Sequence, residues 1–279
     1  MKHQKRSVIL GAVSGILLFA AAILQMIATL TAYDPQANYF LAETILPTVS
    51  VILAITGALI GITASFLVGK ELNRSVPFSD DLYPALPAVI STLVAALLLL
   101  AFGKGLFASI SSLLLLGTAL YAALSESKFR TAAPATVALL GFLPVLASAA
   151  LTAYYYFDTS IEMNAPFKVL LQTALLFSML YFTGELRFLL NRSQPRLYLS
   201  LSVCALASSL CCAFALVPAI LGGISDRIDY LAGALAVFGI AITLIFRILH
   251  LLIPTKTDGA PLPDTDEKAP TVQEEERPE

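Results

Sequence analysis

The sequence has no tryptophan, two histidines and three cysteines, and only 13% of its residues are charged. Soluble domains carry about 25% charged residues, so this chain lacks the surface of one. With only His3 and His250, it has almost no material for a histidine-ligated metal centre. Cys204, Cys211 and Cys212 share one apolar run, where neither a disulfide framework nor a metal knuckle places its cysteines. They read instead as small apolar packing residues. HExxH, GxSxG, DxxxD, a P-loop and paired intramembrane aspartates are all missing. We therefore expect no enzymatic activity, no catalytic residue, no metal and no cofactor. A net charge of -2 offers nothing to nucleic acid. Without tryptophan, tyrosine must supply any aromatic belt at the membrane surface. Tyr33, Tyr39, Tyr83, Tyr154, Tyr155, Tyr198 and Tyr230 fall near the ends of apolar runs.

What is present is apolar: 58% of the residues are hydrophobic, in runs long enough to cross a bilayer. About 20 residues at 1.5 Å each span the ~30 Å hydrocarbon layer, and lipid leaves the backbone only helical hydrogen bonds. The expectation is an all-α polytopic integral membrane protein with eight transmembrane helices, at about 7–33, 44–69, 83–102, 106–124, 133–155, 165–189, 197–221 and 228–252. The first run, after a basic start, also fits a signal peptide. Its length, and Leu30 at the -3 position of the best cleavage site after Ala32, favour retention. Pro144 should kink the fifth span. No register repeats between the first four spans and the last four. Residues 254–279 are rich in proline and acid, bury almost nothing, and are expected to form a disordered acidic cytoplasmic tail.

Loop charge orients the chain. With eight spans, 14 of the 17 basic residues fall on the side that holds both termini. The other three are Lys104, Lys168 and Arg227. The positive-inside rule puts both termini in the cytoplasm. Gly11 and Gly15 in the first span, and Gly57 and Gly61 in the second, form small-xxx-small patterns at similar depth. They predict a close antiparallel contact between these helices, or alternatively a dimer face.

The sharpest candidate site lies in the sixth and eighth spans. Glu185 lies 17 residues after Lys168, and Arg247 lies 18 after Asp229, so the two reach similar depth near the cytoplasmic boundary. A carboxylate at the hydrocarbon edge needs a partner. Glu185 and Arg247 are expected to pair, for structure or for binding, so that reversing both charges restores what single reversals damage. Arg187 should snorkel to lipid phosphates. Gln172, with Gln25 in the outer half of its span, is a further candidate binding residue, although interhelical hydrogen bonds explain both. Asp158 and Glu162 read as a solvated loop, too few carboxylates for a cation cage, and His250 as interfacial.

The segment Phe157–Leu190 carries Phe157, Asp158, Ser160, Met163, Asn164 and Pro166 before a helix that closes with Glu185, Leu186, Arg187 and Phe188. This F-D-x-S-x-x-M-N-x-P loop and E-L-R-F ending resemble uncharacterised multi-pass membrane proteins of clostridial-type bacteria. The resemblance implies a bacterial cytoplasmic membrane and carries no activity. The expected function is a non-enzymatic accessory, scaffold or sensor protein. Its surroundings would be the lipid bilayer and a protein partner reached through the helices or the acidic tail. The alternative is a small-solute transporter or channel.

Overall fold

Among the described residues, eight helices are long and apolar enough to cross a membrane. In the computed structural model, residues 2–67, 78, 81–190, 192 and 194–252 are described. The tail expected at 254–279, and Lys70 and Arg74 of the second loop, lie outside the described residues. The spans are α1 (Lys2–Ala32), α2 (Leu46–Leu67), α3 (Leu86–Phe102, led by a 3-10 turn at Tyr83–Ala85), α4 (Gly105–Ser125), a broken fifth span, α8 (Pro166–Leu189), α9 (Pro195–Leu221) and α10 (Ile228–Leu252). A short helix α5 (Phe129–Ala132) precedes the fifth span, which consists of α6 (Pro134–Leu140) and α7 (Phe142–Phe157). The chain is a polytopic all-α membrane protein. Among the described residues the strands are a single pair of two residues each, β1 (Tyr33–Asp34) and β2 (Tyr39–Phe40), paired antiparallel between α1 and α2.

The helix starts follow from the sequence. Pro134, Pro166 and Pro195 open α6, α8 and α9; at the first helical position the missing N–H costs nothing. The fifth span breaks at Gly141 rather than kinking at Pro144. A proline ring clashes with the carbonyl four residues earlier, here Leu140, and that is the last residue of α6. Gly141 also accepts close approach: a Cβ there would sit 2.7 Å from Leu186 Cδ2 and 3.3 Å from Tyr121 Cε2. Between α3 and α4 the turn is only Gly103 and Lys104, and Gly105 adopts a positive φ of 80°.

Packing neighbours define a closed ring of six spans: α3 packs on α4, α4 on α7, α7 on α8, α8 on α9, α9 on α10, and α10 back on α3. The α1–α2 hairpin lies outside this ring, against α9. The interior of the ring is filled by side chains, among them Leu99, Leu151, Leu171, Leu175, Cys212, Leu216 and Val237, all buried. An even number of crossings brings both ends of the described chain to one face, called the terminal face below; the opposite one is the far face.

The α1–α2 contact is made by a different face from the one the glycine pattern suggests. Ser7 donates to the Ala64 carbonyl (3.0 Å), Ser14 to the Gly57 carbonyl (2.7 Å) and Ser50 to the Ala21 carbonyl (2.9 Å). These pairs step by seven residues on each helix, the spacing of an antiparallel coiled-coil seam. Gly57 and Gly61 belong to the seam: a Cβ on Gly57 would meet Leu18 at 2.9 Å, and one on Gly61 would meet Ser14 and Val203 at 2.7 Å. Gly15 does not belong to it. It is exposed, and nothing lies within 4 Å of where its Cβ would be. Gly11, half-buried, and Gly15 instead line an apolar groove with Ile245 and Leu249 of α10. The depth of the contact follows from helix length, whereas the rotation of α1 about its axis is set by Ser7 and Ser14, whose hydroxyls need carbonyl partners in lipid.

Replacing Gly61 by Val should therefore destabilise the protein by about 1–3 kcal/mol through overpacking. Gly15→Val should stay within about 0.5 kcal/mol of the parent. Thermal unfolding of both variants in detergent checks the difference, and equal effects would place the seam on the wrong face of α1.

Candidate functional site

The helices carry charge to both ends of the ring and almost none to its middle. At the terminal face, α4, α8 and α10, alternate members of the ring, each contribute to one buried knot. Arg247, on α10, is 3% exposed and Glu185, on α8, is 0% exposed. The guanidinium Nη1 contacts Glu185 Oε1 directly. The partner missing from the sequence reading is Glu126, just past the end of α4 and also 0% exposed. Arg247 Nε donates to its Oε1 at 2.7 Å. One guanidinium thus bridges two carboxylates, each of which would be costly to bury without a partner.

Tyrosines complete the knot. Tyr121 donates to Glu185 Oε2 (2.8 Å), and Tyr181 donates to Glu185 Oε1. The Tyr181 hydroxyl in turn accepts from Arg247 Nη1 at 2.5 Å and from Tyr198 at 3.3 Å. Ser125 accepts from Arg247 Nη2 at 3.4 Å. The Phe78 ring lies against two guanidiniums, 5.0 Å from that of Arg247 and 5.3 Å from that of Arg130. Tyr198, together with Tyr155 and Tyr230 at the other end, was expected in an interfacial belt. All three are fully buried, with their hydroxyls hydrogen-bonded inside the bundle. A sequence signal for part of the knot did exist: Tyr181 and Glu185 are four apart on one helix face, as are Tyr121 and Ser125. Glu126 gave none, because it follows its helix in a loop of mixed charge.

The void beside the knot measures only about 10 Å³, about one water molecule. Thr118, Thr243 and Arg247 line it, and the Thr243 hydroxyl is buried with no partner. No solute fits there. Both oxygens of Glu185 are engaged, so it is not a free base.

The far face holds the second charged cluster, where a solvated loop was expected. Arg227 Nε and Nη2 clasp Asp229 (2.9 and 2.8 Å), Nη2 also reaches Asp158 (2.6 Å), and Nη1 donates to Ser160 (2.5 Å). Tyr154 and Tyr230 donate to Asp229 and Asp158 (3.1 and 3.2 Å). Lys168 is buried and donates Nζ to the Asp158 and Ile161 carbonyls (2.6 and 3.3 Å), pinning the loop onto the start of α8. Burial pushes the Asp158 carboxyl up, but hydrogen bonds from Ser160 and Arg227 outweigh it and hold the pKa at about 2. The same contacts, led by Asp229, raise the Arg227 guanidinium above its ordinary value.

Other candidates stand apart from both clusters. Gln172 is half-buried and its Nε2 has no partner, while Gln25 is buried on α1; neither lines the far-face clefts. Arg187 donates to Gln194 at 2.6 Å on the surface, and His250 is exposed at the end of α10. Cys204, Cys211 and Cys212 are free thiols. Among the described residues no group of three metal-ligating side chains forms. No known family, curated protein or solved structure matches this chain.

Because Arg247 serves two carboxylates, exchanging the charges of Glu185 and Arg247 should fail to restore stability: a glutamate at 247 would face Glu126. Arg247→Met should cost about 3–5 kcal/mol. Adding Glu126→Gln and Glu185→Gln should recover most of that loss, read as thermal unfolding of the purified protein.

At the far face the Asp158 carboxyl titrates at about 2 in the folded protein, against about 3.9 in an unfolded chain. Its contribution to stability is therefore complete above pH of about 4 and is lost as pH falls toward 2. A pH series of unfolding midpoints should show this loss in the parent and not in Asp158→Asn.

Proposed function

We propose that this is a bacterial cytoplasmic-membrane protein with both termini in the cytoplasm, acting without catalysis as an accessory, scaffold or sensor protein. The carrying observation is the closed state of the ring. Its interior is packed with apolar side chains, and the buried charges at the terminal face, Arg247, Glu185 and Glu126, engage one another. A solute path along the ring would have to break the Glu185–Arg247–Glu126 knot in every cycle. The charge imbalance supports the orientation. Of the three basic residues on the far face, Lys168 is spent on loop carbonyls and Arg227 on two aspartates. Protein partners would meet the lipid-facing helices or the acidic tail.

One observation keeps a small-solute carrier as the second reading. The fifth span is broken at Gly141, next to Leu186 and Tyr121 of the knot, and broken helices beside buried charge are a feature of transporter sites.

Cysteine labelling in whole cells tests both parts. A membrane-impermeant maleimide should label Met163→Cys, on the exposed far-face loop, without permeabilisation, and Lys128→Cys only after it. Reversal of that pattern would overturn the orientation. Cys212, left as the single cysteine, is 0% exposed within the core. A small charged thiosulfonate should leave it unmodified in membranes, since an accessory bundle does not open. Steady modification would overturn the accessory reading in favour of a cycling carrier.

A further inference from the structure

A cleft of about 610 Å³ opens on the far face between the α3–α4 turn, the end of α7 and the start of α10. A second lobe of about 380 Å³ adjoins it, sharing Ser160, Asp226 and Arg227. The sizes suit a small ligand or a headgroup. The depth is set by the chain itself: α3 ends at Phe102 and α4 begins at Gly105, so Lys104 sits at the level where the hydrocarbon layer ends. One wall is apolar and faces lipid, with the exposed rings of Phe107 and Phe157 stacked at 5.9 Å.

The floor is the Arg227 network, and most of it is satisfied. Four of the five Arg227 N–H donors are used, which leaves one on Nη1. Two charges are not used. Lys104 and Asp226 both line the cleft, both are exposed, and neither side chain has a polar partner among the described residues. The lining thus presents an open cation and an open anion, with an apolar wall beside them. In sum, Lys104 and Arg227 stand against Asp158, Asp226 and Asp229, a single net negative charge. That balance disfavours a purely anionic ligand and favours one that brings its own ammonium.

We propose that this cleft holds the headgroup of a zwitterionic phospholipid with a primary ammonium. The ammonium sits on Asp226, the phosphate on Lys104 and the remaining Arg227 N–H, and an acyl chain lies along Phe107 and Phe157. A primary ammonium donates charge-assisted hydrogen bonds to a carboxylate, and a quaternary one cannot. This goes beyond the accessory reading and rests on separate residues, so modification of Cys212 would leave it standing.

Native mass spectrometry of the full-length protein, titrated with phosphatidylethanolamine, phosphatidylcholine and phosphatidylglycerol of one acyl composition, tests it. Phosphatidylethanolamine should bind about tenfold more tightly than either of the others. Asp226→Asn should reduce it to their level, Lys104→Gln should weaken all three lipids through the phosphate they share, and since both residues are exposed the variants should fold. Equal binding of the three lipids, an unchanged preference in Asp226→Asn, or unchanged binding in Lys104→Gln would overturn the proposal. Displacement of the lipid by equimolar phosphoethanolamine would overturn the amphiphile and assign the cleft to a soluble zwitterion.

Discussion

A guanidinium held between two buried carboxylates is the contact on which the terminal end of this protein depends. Each group alone would be prohibitively costly at that depth, and each is tolerable only because the others are there. Arg247 on α10 meets Glu185 on α8 and Glu126 at the end of α4. Those helices do not follow one another around the ring; they alternate with α9, α3 and α7. Contacts between neighbouring helices determine who sits beside whom. The knot acts across the ring, so it sets how closely alternate helices approach.

The far end solves the same problem with different chemistry. There the charges lie at the membrane boundary, partly exposed, and the binding is spread over Asp158, Asp229, Arg227, Ser160 and two tyrosine hydroxyls. Tyr155 adds a bond to the Asp229 carbonyl at 2.7 Å, which ties α7 to the first turn of α10. The loop before α8 is held twice, by Lys168 through its backbone carbonyls and by Arg227 through the Asp158 and Ser160 side chains. One end is a buried, compact triad. The other is a wetter network whose spare valences, on Lys104 and Asp226, face outward.

Hydropathy made the eight spans legible, because lipid demands about 20 apolar residues per crossing and permits only helix. Depth was legible too. Rise per residue is fixed, so counting from Lys168 and from Asp229 brought Glu185 and Arg247 to one level, where the structure joins them. Rotation about the helix axis was not legible. In a helix that is apolar all round, no moment marks the buried side, and so Gly15 faces out while Ser14 faces in. Nor was Glu126 legible, since a carboxylate just outside a span is ordinarily solvated. The aromatic belt misled for a related reason. A tyrosine near a span end satisfies its hydroxyl equally well at the interface or against a buried ion, and Tyr155, Tyr198 and Tyr230 take the second course.

The buried ions define one arrangement more than they strengthen it. A hydrophobic replacement of a buried triad is often as stable as the original, and the α1–α2 seam shows that this chain can hold helices together with serine hydroxyls and close backbones alone. What apolar packing supplies poorly is discrimination between rotations of nearly uniform helices. In this bundle α8 has one rotation that brings Glu185 to Arg247, Tyr121 and, one turn earlier on the same face, Tyr181. Any other would leave a carboxylate in lipid. The broken fifth span fits the same logic: ending α6 at Leu140 lets Gly141 make room for Leu186, the residue after Glu185. The proline that forbids a continuous helix and the glycine that admits its neighbour thus serve the placement of one side chain two helices away in sequence.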